Sequence, residues 1–179
     1  MMAASHRFSN AVRYRAEDHE AQCQLTPPYV LDPVRAALGG EIGLDPCTTA
    51  ANPAGATRFY APPADGAVMP WDAATIFVNP PYSKARERWV RRCIQAGADG
   101  RQVVLLIPAA IDTRIFQEAL AAATAVVFIR GRVKFGVLRP NRRQAAASHP
   151  SALIGWNVTL TPCAHLGLPV VCRDRAGGA

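Results

Sequence analysis

The chain has no apolar run of membrane-spanning length, and Met1 to Asn10 holds no hydrophobic signal core. A cytoplasmic location is therefore expected. Its cysteines, Cys23, Cys47, Cys93, Cys163 and Cys172, are odd in number, widely spaced and never in a C-x-x-C pair. That excludes a zinc ribbon or a disulfide framework as the organising device and leaves free thiols in a reducing compartment. His6, His19, His149 and His165 are isolated, so no metal site is expected. Acidic residues are missing over one long stretch: between Ala119 and Arg173 there are seven basic side chains and no Asp or Glu.

What is present is one domain's worth of chain. The 179 residues are half apolar, with 15 prolines and 13 glycines spread along them, enough for a buried core but not for two full domains. Residues 1–24 are polar with no apolar period and are expected to be loosely held. Residues 25–172 form the domain, and 173–179 a tail. The net charge of +7 is unevenly placed. Arg130, Arg132, Lys134, Arg139, Arg142 and Arg143 make one basic stretch. Lys84, Arg86, Arg88, Arg91 and Arg92 make another, with only Glu87 against it. One-sided charge of this kind is the footprint of a polyanion binder. The competing reading, a basic face that is only solvated in an arginine-rich composition, is the weaker of the two.

The elements alternate. Thr26-Pro27-Pro28 reads as a hydroxyl-capped helix start, with Val30, Leu31, Val34 and Leu38 on one face and Pro33 delaying the regular part. Ile42–Asp45 is a short strand and Thr57–Tyr60 a brief one. Thr75–Val78 is a β-prone run stopped by Asn79-Pro80-Pro81. Ser83 caps a helix carrying Trp89, Val90, Cys93 and Ile94, and Gln102–Ile107 is an apolar strand closed by Pro108. Asp112 caps the next helix, Ala125–Ile129 is a strand, and Ser151–Trp156 with Val158–Leu160 supplies late strands as a hairpin. Strands apolar throughout, alternating with amphipathic helices, predict an α/β fold: a mostly parallel twisted sheet, helices on both faces and a late antiparallel strand. Asp45, Asn79, Pro108 and Arg130 fall at the carboxyl ends of strands, where such sheets bind ligands.

Asn79-Pro80-Pro81-Tyr82 is the sharpest chemical signal. Two prolines fix the backbone and remove two amide donors, so the loop cannot continue the strand. The Pro80 carbonyl and the Asn79 side-chain oxygen can then act as paired acceptors for an amine with two hydrogens. Accepting both hydrogens keeps the nitrogen lone pair aimed at an incoming methyl group, which is catalysis by positioning and electrostatics. Tyr82 offers a flat face on which a base can stack. The plainer reading is a tight turn with a packing tyrosine. The motif does not name its amine: adenine or cytosine in DNA, guanine in RNA and protein glutamine all remain open to it.

In order along the chain come Thr26-Pro27, Leu44-Asp45-Pro46-Cys47, Asn52, Phe59-Tyr60, Asp65, Trp71, Val78-Asn79-Pro80-Pro81-Tyr82, Leu106-Ile107-Pro108-Ala109 with Asp112-Thr113, Gly131-Arg132-Val133-Lys134-Phe135, and Pro150-Ser151-Ala152-Leu153. As an ordered set over roughly residues 25 to 156, these resemble the phage-type DNA N-6-adenine methyltransferases. The resemblance implies a single-domain class I, Rossmann-like fold, S-adenosylmethionine as methyl donor, adenine in duplex DNA as substrate, and work in a bacterial cell or phage-infected host. It implies that Asp45 meets the amino-acid part of the cofactor with Pro46 and Cys47 beside it. Asp65 would meet the cofactor's adenine or ribose, Asn79 would touch the cofactor as well, and Asn79, Pro80, Pro81 and Tyr82 would hold the target base.

The chain departs from methyltransferases at large at one place: Pro46-Cys47-Thr48 stands where a G-x-G loop usually follows the first strand. Asp45 and Asp65 also suit turns, Asp65 nearly as well as a cofactor role. Alternation in Gly131–Phe135 sends Arg132 and Lys134 to one side and Val133 and Phe135 to the other, giving either an edge strand guarded by charge or, as preferred, contacts to DNA together with Lys84, Arg86 and Arg130. The rivals are a protein-glutamine or RNA amino-methyltransferase sharing the NPPY loop, and a DNA-binding relative that no longer turns over.

Overall fold

The computed structural model describes residues 25–82, 85–136 and 147–172. Its elements are α1 (Pro28–Ala37), β1 (Leu44–Asp45), β2 (Arg58–Phe59), β3 (Thr75–Val78), α2 (Arg86–Ala98), β4 (Gln102–Pro108), α3 (Arg114–Ala122), β5 (Ala125–Ile129), β6 (Ser151–Trp156), a 3-10 helix (Thr161–Leu166) and β7 (Gly167–Val171). The tail and the segment before Leu25 lie outside the described residues, as do Ser83, Lys84, Arg139, Arg142 and Arg143.

Among the described residues seven strands make one sheet in the order β2-β1-β3-β4-β6-β5-β7. The pairs β2/β1, β1/β3 and β3/β4 are parallel. β6 is antiparallel to both neighbours, β4 and β5, and β7 is antiparallel to β5. Five strands therefore point one way and two the other. After β1 the chain steps outward to β2, then crosses back to lay β3 on β1's other side. Two chain directions thus diverge between the carboxyl ends of β1 and β3, the crevice where open α/β sheets take ligands.

Each face of the sheet is covered by a separate core. On one side α1 sends Val30, Leu31 and Val34, with its C-cap Leu38, against Phe77, Val104, Leu106, Val127 and Leu153. On the other, α2 and α3 bury Trp89, Val90, Cys93, Ile115, Phe116 and Ala119 against Ile76, Val103, Leu105 and Ile154. The α2 approach depends on Gly97, where an added Cβ would sit 2.6 Å from the Trp156 Cβ.

Several local expectations change. Pro27 is the N-cap of α1, and no side chain caps it, so Thr26 is not a cap. Pro33 lies inside the helix, which begins early, at Pro28. The N-cap of α3 is Thr113 rather than Asp112. Val158–Leu160 is not a strand. Asn157 takes a left-handed φ of 54° and donates from Nδ2 to the carbonyls of Gly97 (2.7 Å) and Arg101 (2.8 Å), which turns the chain after β6. The outermost strand is β7 instead.

Candidate active site at the sheet crevice

β1 ends in Asp45, which is 3% exposed. Its Oδ1 accepts from the Cys47 amide at 3.0 Å, and the Thr48 side chain also bonds to it. Burial dominates its titration: desolvation lifts the carboxyl pKa to about 7, against the pull of the Cys47 amide and the Thr48 hydrogen bond. The turn after β1 is thus closed by an aspartate side chain, which explains how it dispenses with a glycine loop. Thr48 is buried too, and its amide donates to the Tyr60 carbonyl at 3.2 Å.

The next loop is pinned by Asn52, at φ 45°, which exchanges two hydrogen bonds with the Ala56 backbone (2.9 and 3.1 Å). Arg35 of α1 adds a bond to the Ala54 carbonyl at 2.8 Å. Asn52 is structural, holding Pro53 and Ala54 where they line the crevice.

β3 is followed at once by Asn79 and then by buried Pro80 and Pro81. Asn79 Nδ2 donates to the Thr26 hydroxyl at 3.0 Å. A narrow cleft brings Asp45, Cys47, Thr48, Asn79 and Thr26 together, with Phe77 and Leu31 as apolar wall. Asp45 and Asn79, 34 positions apart in sequence, meet there because β1 and β3 are neighbours.

Tyr82 is half-buried and turns into the core, its ring edge-on to Phe135 with centroids 6.0 Å apart. Its hydroxyl is buried beside that of Ser151. Burial raises the phenol well above its usual range, with Ser151 and Arg86 pulling the other way. Phe135 was legible only as the inward half of an alternating strip; its contact with Tyr82 was not.

Asp65 has both carboxylate oxygens engaged by Arg88, at 2.7 and 3.0 Å, and also accepts from the Ala67 amide at 3.1 Å. Beside it Gly66 presses on the first loop so closely that a Cβ there would fall 1.7 Å from the Pro46 carbonyl oxygen. Asp65 is therefore near the cleft's rim through Gly66 and Pro46, but it does not line it.

The chain matches, over residues 15–174, the family model described as DNA N-6-adenine-methyltransferase (Dam). It belongs to that family. No curated protein matches the chain. As a Dam-family enzyme it methylates the 6-amino group of adenine in DNA, on an α/β frame of the Rossmann-like methyltransferase kind.

For a DNA enzyme the disposition of its cations matters. On α2, Arg88 is committed to Asp65, Arg91 lies 3.5 Å from Glu118, and Arg92 covers the Trp71 ring and donates to the Met69 carbonyl. Arg86 is half-buried near the Tyr82 hydroxyl. On the other stretch Arg130, Arg132 and Lys134 are all exposed, while Val133 and Phe135 are buried. Arg132 Nη1 already donates to the Ala147 carbonyl at 3.2 Å and to the Ser148 carbonyl. Among the described residues no cluster of His, Cys, Asp and Glu could hold a metal, and no helix is long and apolar enough to cross a membrane.

Proposed function

We propose that this Dam-family enzyme draws its methyl group from S-adenosylmethionine bound at the Asp45 side of the crevice, and that Asn79, Pro80, Pro81 and Tyr82 hold a flipped adenine from duplex DNA. The observation that carries the reading is the convergence of Asp45 and Asn79 in one narrow cleft at the sheet's switch point. The donor set suits this cofactor: a buried carboxylate with its pKa near neutrality, and no cation beside it among the lining residues, is matched by a ligand bearing an ammonium and a sulfonium. When bound, S-adenosylmethionine supplies an electrophilic methyl group.

The chain's own residues do the rest. Asp45, with the Pro46-Cys47 turn, holds the amino-acid end. Asp65 and Gly66 at the rim border the nucleoside end. Asn79 Oδ1 and the Pro80 carbonyl accept hydrogen bonds from the two hydrogens of the adenine amine, so the nitrogen lone pair is directed at the incoming methyl group, and the proton is lost to solvent during or after attack. Tyr82, backed by Phe135, walls the extruded base and offsets part of an unstacking cost of a few kcal/mol. Arg86, Arg130, Lys134 and, less freely, Arg132 track the phosphates, with Lys84 beside Arg86 in sequence.

The test incubates the purified chain with methyl-labelled S-adenosylmethionine and duplex DNA, then resolves the nucleosides by mass spectrometry. Label in N6-methyladenine, with cofactor affinity weakened by Asp45→Ala, is the expected result. Label in RNA or in glutamine, or in no adenine-containing duplex, would overturn the assignment.

A further inference from the structure

Thr26 is buried at 7% exposure, yet its hydroxyl plays no part in capping α1, whose N-cap is Pro27. A buried hydroxyl without a hydrogen bond is costly. Thr26 finds its partner in Asn79, 53 positions away, whose Nδ2 donates to Oγ1 at 3.0 Å. The hydroxyl's position is itself fixed from both sides. On one, Leu25 is tied to Gly136 by two backbone hydrogen bonds, of 3.2 and 2.8 Å. On the other, Pro27 and Pro28 restrict the chain as it enters the helix.

We propose that Thr26 is a positioning residue for methyl transfer: its hydroxyl tethers the Asn79 side-chain amide against rotation, in the arrangement in which the NH2 arm meets Oγ1 and the oxygen arm serves the target amine. The inference rests on the reading of Asn79 given above. The terminal torsion of an asparagine is broad and roughly two-fold, and its two arms have opposite hydrogen-bonding sense. A half-turn would set an NH2 group against an amine that must itself donate, and the lone pair of that amine would lose its direction. The cost falls on the reacting geometry rather than on binding, so it belongs in kcat.

Thr26→Val keeps the shape and removes the hydroxyl; Thr26→Ser keeps the hydroxyl. Thr26→Val is expected to lower kcat about tenfold, the equivalent of one hydrogen bond of about 1.4 kcal/mol. KM for DNA should stay within about twofold, and Thr26→Ser should recover most of the rate. In an Asn79→Ala background Thr26→Val should cost almost nothing further, because the group it positions is gone. A readout independent of turnover is the Asn79 side-chain NH2 resonance pair, identified by its loss in Asn79→Ala. It should move in Thr26→Val and stay in place in Thr26→Ser.

Normal turnover by Thr26→Val with unmoved resonances would overturn the proposal. So would equal losses in the Ser and Val variants, or losses that multiply with Asn79→Ala. A wild-type chain that methylates no adenine would instead remove the Asn79 reading and this proposal with it, an outcome distinct from an active enzyme indifferent to Thr26→Val.

Discussion

On one side of β4 the sheet is parallel, and its two outermost strands, β1 and β2, are two residues long. On the other side it is antiparallel, and β6 registers six residues, Ser151 to Trp156, against β4 with every one of them buried. The short half carries Asp45 and Asn79 in a cleft; the long half carries Leu153, Ile154 and Trp156 in two packed faces. On the reading proposed above, the chemistry falls where backbone pairing is sparse and side chains close the loops: Asp45 onto Cys47, Asn52 onto Ala56, Asn79 onto Thr26. Cohesion has been placed where pairing is continuous. A substitution should therefore damage either turnover or stability according to the half it falls in.

The widest separation is expected between Asn79→Ala and Leu153→Ala. Asn79→Ala should lower single-turnover methyl transfer by about 10²–10³-fold, the scale of removing one preorganised hydrogen-bonding group at a reacting centre, with a smaller loss of stability, about 1–2 kcal/mol, from leaving the buried Thr26 hydroxyl unpaired. Leu153→Ala, fully buried between β4 and β5, should cost about 2–5 kcal/mol of stability, with near-normal turnover per folded molecule. Chemical denaturation beside single-turnover rates checks both. A Leu153→Ala enzyme as stable as wild type, or an Asn79→Ala enzyme as fast, would erase the distinction.

How much of this was readable beforehand differs between the halves. Thr75–Val78 and Ala125–Ile129 were legible to the residue because each is a β-prone apolar run stopped by turn formers, Asn79-Pro80 after one and Gly131 shortly after the other. The break after β3 at Asn79-Pro80-Pro81 was legible because two prolines fix the backbone and cannot continue a strand. Thr26 was misread, since a hydroxyl before Pro-Pro looks like a local cap and nothing local announces a partner 53 residues away. Val158–Leu160 alternates inward and outward like a strand, yet β5 already has β6 and β7 on its two sides. Those residues cover the core instead, with the Val158 carbonyl accepting from the Thr124 hydroxyl at 3.0 Å. β7 escaped notice because Pro169 sits in its middle. The Cys172 amide donates to the Thr124 carbonyl, so by alternation Leu168 and Val170 face β5 and the proline's missing N–H falls on the open edge. There it costs no ladder bond and blunts further strand pairing.

Asp45 sharpens the comparison by titration. Its carboxyl is lifted from 3.8 to about 7 in the fold, so between those pH values the folded chain holds a proton that the unfolded chain releases. The resulting contribution to stability is complete below pH 3.8, declines as pH rises toward 7 and is absent above it. Asp45→Asn removes this dependence. At pH 8 the variant should be more stable than wild type by about 2–4 kcal/mol, a gap that closes near pH 4, while its affinity for the methyl donor falls. Thermal unfolding of both proteins across pH 4–8 checks the sign. A variant less stable at pH 8 would mean that the ionised carboxylate is favoured in place and that the site was not held at a cost.

The smallest effect concerns the DNA surface, and it separates cations that look alike in sequence. Each phosphate contact adds roughly 0.9 to the slope of log affinity against log salt. Arg130 and Lys134 are exposed, so Arg130→Gln with Lys134→Gln should flatten the slope by about 1.8 if both meet phosphates. Arg132 lies between them, yet its Nη1 is occupied by the Ala147 and Ser148 carbonyls. Arg132→Gln should flatten the slope by less than half as much, and should instead loosen the 147–148 backbone that leads into β6. Fluorescence anisotropy with a labelled duplex at several salt concentrations measures both. An Arg132→Gln slope change equal to that of Lys134→Gln would show that DNA displaces those two carbonyls. A double variant with an unaltered slope would move the phosphate track to the other side of Tyr82, where Arg86 begins α2, since Arg88, Arg91 and Arg92 beyond it are already held by Asp65, Glu118 and Met69.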